Sequence, residues 1–134
     1  MAGAPDASAV SSYDLRRGGF TLVSPSVPTT ETSACWIAIT PDGRFAYSGN
    51  AASQSITGYE IGRRGELSIL TPDGKTASGH AGVTDLSISS DGRWLYARMG
   101  DGTVGAWTIE SDGTLTPLGS FPGLPAGAVG IAAT

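Results

Sequence analysis

The sequence predicts an all-β protein made of tandem sheets. Twenty glycines and eight prolines are spread over 134 residues, and no window longer than a turn or two has apolar residues at helical spacing. Short alternating runs at 45–48, 56–61 and 103–109 are bounded by Asp-Gly or Arg-Gly dipeptides, which are the usual boundaries of β-hairpins. One long segment also recurs about fifty residues further along the chain.

That repeat is clearest around two Asp-Gly-Arg hairpins. The segment IAITPDGRFAYSGN, which starts at Ile37, aligns with LSISSDGRWLYARM, which starts at Leu86, at an offset of 49 residues. The alignment continues from 56–70 onto 104–118 at an offset of 48 residues. A period of roughly 40 to 50 residues that holds four short strands is typical of a β-propeller blade.

The whole chain, 1–134, is therefore interpreted as one partial β-propeller domain with two complete blades. Blades at 35–70 and 84–118 have strands A to D at 36–40, 44–49, 55–61 and 66–70, then at 85–89, 93–98, 103–109 and 114–118. Partial blades flank them, with strands C and D of a preceding blade at 10–24 and strand A of a following blade at 129–133. A second TPDG sequence at 71–74 is out of phase with the repeat and is interpreted as loop.

Packing between blades explains the periodic aromatic residues. The four aromatics predicted to lie in this core are Tyr47, Tyr96, Tyr59 and Trp107. Small residues that let the sheets approach are Ala46, Gly58 and Gly105. Blade sheets are covered on both faces, so such residues serve on either side of a strand. In the partial blade, Tyr13 and Leu15 align with Tyr59 and Ile61.

Charge and composition exclude several partners. A net charge of −4 with interspersed signs predicts neither nucleic-acid nor membrane binding. The single Cys35 and single His80 rule out an internal disulfide and a Cys/His zinc site within one chain, so no metal or cofactor is expected. The longest apolar run, 35–39, is too short to span a bilayer, and the N-terminus has no signal-peptide pattern. The sequence does not indicate the cellular compartment of the protein.

Six segments follow one another in a characteristic order: ASAVSSYDL, SACWIAITPDGRFAYSGN, SITGYEIGRRGEL, TDLSISSDGRWLYAR, DGTVGAWTIESDGTLTPLG and LPAGAVGIAAT. Their order and spacing resemble the C-terminal portion of the lactonase family of seven-bladed propellers, which includes 6-phosphogluconolactonase and the 3-carboxymuconate cyclase-like proteins. It implies lactone hydrolysis only at the level of the fold. The family's Pro-Arg-His-like run is absent where the strands A begin, at 34–36 and 83–85, so no catalytic residue is assigned.

Two complete blades leave the outer faces of an unfinished ring exposed. We therefore expect the chain to associate with copies of itself or with a complementary propeller fragment, by exchanging 129–133 or 10–24 between molecules. A soluble monomer that frays at both ends is the alternative.

Binding groups are expected on the rim formed by the D-to-A and B-to-C connections, which holds the long loops. These loops are 24–35, 49–54, 71–84, 99–102 and 119–128. The candidate residues there are Glu31, Cys35, Trp36, Asn50, Gln54, His80, Asp85, Arg98 and Asp101. On the opposite rim the charged side chains are interpreted as turn residues and solvated charges. They are Asp42, Arg44, Arg63, Arg64, Asp91 and Arg93.

The candidates allow more than one role. His80 is either a general base oriented by Asp85 or an exposed loop residue. Asp85 can instead accept structural hydrogen bonds at the channel entrance. Arg98 either binds a carboxylate or phosphate or pairs with Asp101, and Cys35 is expected to be buried and inert.

Two functions follow. One is a non-catalytic module that self-associates through exposed blade faces. The other is part of a lactonase-like or cycloisomerase-like enzyme whose central pocket binds a sugar lactone or small carboxylic acid. For the second function, the candidate ligand-binding residues are His80, Asp85, Arg98, Asn50 and Asp101.

Overall fold

The computed structural model describes residues 7–16, 18–125 and 127–134, and these form only strands, turns and loops. The strands are β1 (Ala7–Arg16), β2 (Gly19–Thr32), β3 (Ala34–Ile39), β4 (Phe45–Asn50), β5 (Ser55–Ile61), β6 (Leu67–Ile69), β7 (Ala77–Ser78), β8 (Val83–Ile88), β9 (Trp94–Met99), β10 (Thr103–Ile109) and β11 (Leu115–Pro122). They make three antiparallel sheets: a β1–β2 ribbon, a β3–β4–β5–β6 blade and a β8–β9–β10–β11 blade. The predicted all-β partial propeller is confirmed.

The repeat seen in the sequence is also a repeat of strand register. Ala46 pairs with Tyr59 in the first blade, and Leu95 pairs with Trp107 in the second. The A-to-B hairpins of the two blades close with equivalent hydrogen bonds. The Gly43 N–H donates to the Thr40 carbonyl at 2.8 Å, and the Gly92 N–H donates to the Ser89 carbonyl at the same distance. Both glycines have φ near +70°, a conformation that favours glycine at this turn position.

The core lies between the two complete blades. Tyr47, Tyr59 and Trp107 are buried as predicted, whereas Tyr96 is half-buried. The Tyr47 hydroxyl crosses the interface and donates to the Gly113 carbonyl at 2.8 Å. Burial raises the pKa of Tyr59 to about 12. These aromatic side chains are therefore part of the packing between sheets rather than a ligand surface.

The β1–β2 ribbon packs against the first blade in the manner of a third, incomplete blade. The Ser12 hydroxyl donates to the Gly65 carbonyl at 2.6 Å, and the Leu67 N–H donates to the Ser24 hydroxyl at 2.9 Å. These bonds join the ribbon to the outer part of the first blade. The opposite face of the ribbon has no sheet packed on it within the described residues.

Several expectations about secondary structure need correction. The predicted loops 24–35 and 119–128 are shorter than expected, because β2 continues to Thr32 and β11 continues to Pro122. Residues 77–78, assigned to a loop, form the short strand β7, which pairs with Ser55 and Ile56 of β5 beyond the end of β6. Residues 129–133, assigned to a strand, form none. The N–H groups of Ile131 and Ala133 donate instead to the side chains of Asp85 and Ser87, because the described chain has no strand B beside them to complete a ladder.

Candidate functional site

Three loops meet at the rim where the sequence places the candidate binding residues. The Gly79 N–H donates to the Gln54 carbonyl at 2.7 Å, and the Gly100 N–H donates to the Gly82 carbonyl at 2.8 Å. Gln54 has a positive φ of 55°, an uncommon conformation for a residue other than glycine. The loop between β7 and β8 thus connects the two complete blades at this rim.

His80, on that connecting loop, contacts three oxygen atoms of the second blade. Its Nε2 lies 3.0 Å from Asp101 Oδ2, 2.9 Å from Thr103 Oγ1 and 3.4 Å from Ser120 Oγ. The side chains of His80 and Asp101 are both more than two-fifths exposed. The expected partner Asp85 makes no hydrogen bond with His80 in the described chain, so a different carboxylate approaches the imidazole.

The His80 cluster lacks the geometry of a nucleophile relay. In a Ser-His-Asp triad the carboxylate contacts one imidazole nitrogen and the nucleophile contacts the other. Here the carboxylate and both hydroxyls contact the same nitrogen, Nε2. The hydroxyl of Thr103, followed by its N–H and then by His80, lowers the pKa of Asp101 from its ordinary value. These polar contacts therefore connect the loop between β7 and β8 to the second blade.

Asn50 lies inside the first blade and is fully buried. Its Nδ2 donates to Ser55 Oγ at 3.0 Å and to Thr57 Oγ1 at 2.9 Å, and the Ser55 hydroxyl donates to Glu31 Oε2 at 2.5 Å. The Asn50 Oδ1 atom has no hydrogen-bond partner among the described residues. This network fixes the turn between β4 and β5 and links it to the ribbon.

Asp85 and Arg98 lie opposite each other on β8 and β9 but make separate contacts. Asp85 is buried, and its carboxylate accepts the N–H of Leu86 at 2.8 Å and that of Ile131 at 2.7 Å. Arg98 Nη1 donates to Thr84 Oγ1 at 3.0 Å. Among the ion pairs of the described residues, there is none between Arg98 and Asp101. The sequence allowed Asp85 either a structural or a catalytic role. These contacts give it the structural role of accepting backbone hydrogen bonds.

Two further candidates lie on the innermost strand of the first blade. Cys35 is exposed, so the expectation of a buried thiol is wrong, and Trp36 is 54% exposed. Both belong to β3, where the side chains of Ile37 and Ile39 are exposed as well. The sequence pattern shows which residues alternate, but it does not show which of them another sheet covers.

A cavity of about 540 Å³ lies on the opposite rim between the turns of the two complete blades. It is lined by Asp42 and Asp91, whose carboxylates each accept a hydroxyl and a backbone N–H. Arg44 Nη2 donates to the Ser111 carbonyl at 3.2 Å. These contacts agree with the interpretation of these aspartates as turn residues.

Among the residues that the structure describes, no three His, Cys, Asp or Glu side chains are grouped so as to hold a metal ion. Helices are missing from the same residues, so none has the length and apolar character needed to cross a bilayer.

Comparison with known proteins places this geometry in a family. The family model described as Lactonase, 7-bladed beta-propeller matches residues 3–122. The chain belongs to the lactonase family of seven-bladed β-propellers. A candidate 6-phosphogluconolactonase from Bacteroides fragilis is similar in structure, with a TM-score of 0.72, 14% identity, and coverage of 86% of this chain and 33% of that one. Another from Bacteroides uniformis has a TM-score of 0.68, 21% identity, and coverage of 87% and 35%.

Two curated proteins are similar to part of this lactonase-family chain. Target of rapamycin complex subunit wat1 of Schizosaccharomyces pombe is 24% identical over 90 residues, which are 67% of this chain and 27% of that protein. The LST8 homolog of Drosophila melanogaster is 29% identical over 84 residues, or 63% and 27%. The chain thus spans about a quarter to a third of the proteins it matches.

Proposed function

We propose that this 134-residue chain is a non-catalytic assembly module that associates with copies of itself through its open blade faces. The observation that supports this proposal most directly is the outer face of the β1–β2 ribbon. Cross-strand pairs Tyr13–Leu22 and Leu15–Phe20 place four large apolar side chains side by side, each at least half exposed. Directly opposed residues share a face of an antiparallel pair, so the four side chains form one patch.

Burial of this patch supplies a driving force for association. Phe20 is 77% exposed and Leu15 is 71% exposed. Removing apolar surface from water is favourable by about 25 cal/mol per Å², and contiguous exposed apolar patches on soluble chains commonly mark interaction surfaces. Apolar side chains are exposed at the other end of the array as well, at Leu118, Phe121 and Val129. A head-to-tail contact between copies would cover both ends.

The molar mass in solution tests this proposal. Light scattering or sedimentation at micromolar concentration is expected to give species heavier than the 13.5 kDa chain. Phe20→Lys should weaken self-association at least tenfold, because it places a charge in the patch. Thr21→Lys, which adds the same charge at the neighbouring exposed position, should leave association unchanged. A compact monomer that unfolds cooperatively at these concentrations would contradict the proposal.

Family membership supports a second candidate, a lactonase-like or cycloisomerase-like activity in a complete ring. In such a ring the rim residues His80 and Asp101 would contribute to recognition of a sugar lactone or small carboxylic acid, and Asp85 and Arg98 would line the central channel. Lactone hydrolysis would be assayed before and after His80→Ala and Asp85→Ala. Loss of turnover without loss of folding would support the candidate, and equal rates, or no activity on any lactone, would remove it.

A further inference from the structure

We propose that Asp101 and Thr103 hold the His80 imidazole so that its Nδ1 atom accepts a hydrogen bond from a neutral, hydroxyl-bearing ring, of which a sugar lactone is one example. In this arrangement His80 contacts the ligand, and Asp101 and Thr103 are positioning residues that act through it. The inference rests on the second candidate function, and it names the ring nitrogen and the class of ligand that the rim accepts.

The first argument is the fixed orientation of the Asp101 carboxylate. Its Oδ1 atom accepts the Thr103 hydroxyl at 2.8 Å and the Thr103 N–H at 3.1 Å. The turn from Asp112 to Thr114 has the same two hydrogen bonds, at 2.6 Å and 3.0 Å, but the single histidine of the chain does not contact it. At the Asp101 turn the second oxygen, Oδ2, faces His80 Nε2 at 3.0 Å. The lowered pKa of Asp101 keeps this carboxylate ionised at neutral pH.

The second argument is the tautomer that these contacts require. A hydroxyl has one hydrogen, and the Thr103 hydroxyl donates it to Asp101. Thr103 Oγ1 therefore acts as an acceptor towards His80 Nε2, which lies 2.9 Å away, and an ionised carboxylate is an acceptor as well. Nε2 must then carry the proton. In the neutral imidazole the lone pair is consequently on Nδ1, because the hydrogen bonds of one ring nitrogen decide the protonation of the other.

The third argument is that Nδ1 remains available to a ligand. All three polar contacts of the ring are made by Nε2, so Nδ1 has no hydrogen bond with the residues that the structure describes. The His80 side chain is 47% exposed, and a molecule in solution can therefore reach the ring. Among the ion pairs of the described chain, the one charged partner of His80 is Asp101.

A cavity of about 270 Å³ lies beside this imidazole. His80, Ser78 and Ser120 supply polar groups to its lining, and Met99 and Pro117 supply apolar ones. Sites for small molecules commonly combine apolar walls with a few polar groups that fix the orientation of the ligand. Residues of both complete blades line the cavity, so its shape does not depend on the partial blades that flank them.

The charge around the imidazole selects a neutral ligand. The Asp101 carboxylate beside the ring repels a carboxylate or a phosphate, and no Lys or Arg is found among the described residues that line the cavity. Nδ1 accepts a hydrogen bond, and the hydroxyls of Ser78 and Ser120 can donate or accept one. These groups match a ring that is uncharged and has several hydroxyls. A sugar lactone therefore fits this rim better than a small carboxylic acid.

The nitrogen chemical shifts of the single histidine test the tautomer in the intact chain. At alkaline pH, where imidazoles are neutral, we expect a protonated Nε2 and an unprotonated Nδ1. Asp101→Asn should reverse this, because its Oδ1 stays with the two Thr103 donors and its amide Nδ2 then faces His80 as a donor. Asp112→Asn, the same change in the turn that lacks a histidine contact, should leave the tautomer unchanged. Circular dichroism establishes that both variants remain folded.

Binding is tested with D-glucose, a neutral ring with several hydroxyls, and with D-glucuronate, the same ring with a carboxylate. We expect D-glucose to shift the Nδ1 resonance of the wild-type chain in a saturable way. D-glucuronate should bind at least fivefold more weakly, and Asp101→Asn should weaken the binding of D-glucose by at least fivefold. Asp112→Asn should bind D-glucose as the wild type does.

The outcomes separate this inference from the candidate function on which it rests. A protonated Nδ1 in the wild-type chain, the same tautomer in both variants, no saturable effect of D-glucose, or equal binding of D-glucuronate would overturn the inference. Lactone hydrolysis is measured separately. Tautomer reversal and selective binding of D-glucose by a chain that hydrolyses no lactone would support the inference and remove the lactonase candidate.

Discussion

Single residues without side chains decide how closely neighbouring sheets approach. A Cβ atom added to Gly49 on β4 would lie 2.7 Å from Val83 Cγ1 and 3.1 Å from the Val83 carbonyl oxygen. Val83 is fully buried on β8 of the next blade, and its branched side chain has few alternative rotamers. The sequence repeat pointed to Gly58 and Gly105 for this role and did not point to Gly49.

Gly49→Ala is expected to destabilise the folded chain by about 1–3 kcal/mol, because the interface has no room for a methyl group. Gly100→Ala is the matched control, since its added Cβ would lie 3.6 Å from the nearest atom. The control should range from no change to about 1 kcal/mol of stabilisation. Urea unfolding of both variants measures the difference. Equal stability of the two variants would show that the blades separate easily at this point.

At the scale of strands and turns, the outer edge of the first blade is divided between two short strands. β6 pairs with the last part of β5, and β7 pairs with its first two residues. In the second blade the single strand β11 pairs along all of β10. Between β6 and β7, Thr76 Oγ1 accepts the buried Gly58 N–H at 2.8 Å. A side chain thus replaces a missing backbone carbonyl.

Thr76→Val should therefore lower the free energy of unfolding by about 1–3 kcal/mol, because it leaves a buried N–H without an acceptor while the shape of the side chain is retained. Thr116→Val, at an exposed position of β11, is the comparison and should change stability by less than about 0.5 kcal/mol. Chemical denaturation gives both values. A cost for Thr116→Val as large as that for Thr76→Val would show that hydroxyl loss at any strand position has the same effect.

The A-to-B turns predict a dependence of stability on acid. Hydrogen bonds from Thr40 and Ser89 to the carboxylates, followed by the N–H groups of Arg44 and Arg93, lower the pKa of Asp42 and Asp91 from the ordinary 3.8. Because the pKa of each carboxyl is lower in the folded state, these carboxylates stabilise the fold at pH values above their pKa in the unfolded chain. This contribution is lost as pH falls through the folded pKa.

Stability should therefore decline as the pH falls from about 4 towards 2. The decline should be shallower in the double variant Asp42→Asn/Asp91→Asn, whose amides accept the same hydrogen bonds but do not titrate. Thermal unfolding as a function of pH checks this. Identical slopes for variant and wild type would indicate that other carboxyl groups dominate acid unfolding.

At the scale of the whole molecule, the described residues share one core between the two complete blades. Buried residues from β4, β5, β8, β9, β10 and β11 form a single cluster. Large apolar side chains of the ribbon, and Leu118 and Phe121 of β11, are exposed outside that cluster. Each blade buries its inner face only because the other is present, so folding of the blades and association of the chain are expected to be coupled.

The melting temperature should therefore rise with protein concentration, because association stabilises the folded chain by mass action. Calorimetry at two concentrations that differ tenfold or more measures this shift, and Phe20→Lys should reduce it. A melting temperature that does not depend on concentration would mean that the open faces remain solvated in the native chain.

The sequence by itself determined the blades, the hairpin turns and the aromatic core of this protein. These features repeat at a fixed spacing, and a repeat is visible without coordinates because each blade must satisfy the same packing on the same strands. The equivalent cross-strand pairs, Ala46 with Tyr59 and Leu95 with Trp107, follow from this repeat.

Only the tertiary structure decided the contacts that depend on where the repeat is broken. His80 lies beside Asp101 rather than Asp85 because the loop from β7 to β8 folds across the second blade. The N–H groups of Ile131 and Ala133 donate to side chains of β8 instead of joining a strand ladder within the described residues. Cys35 is exposed, and alternation alone could not predict this, because it does not show which face of a strand another sheet covers.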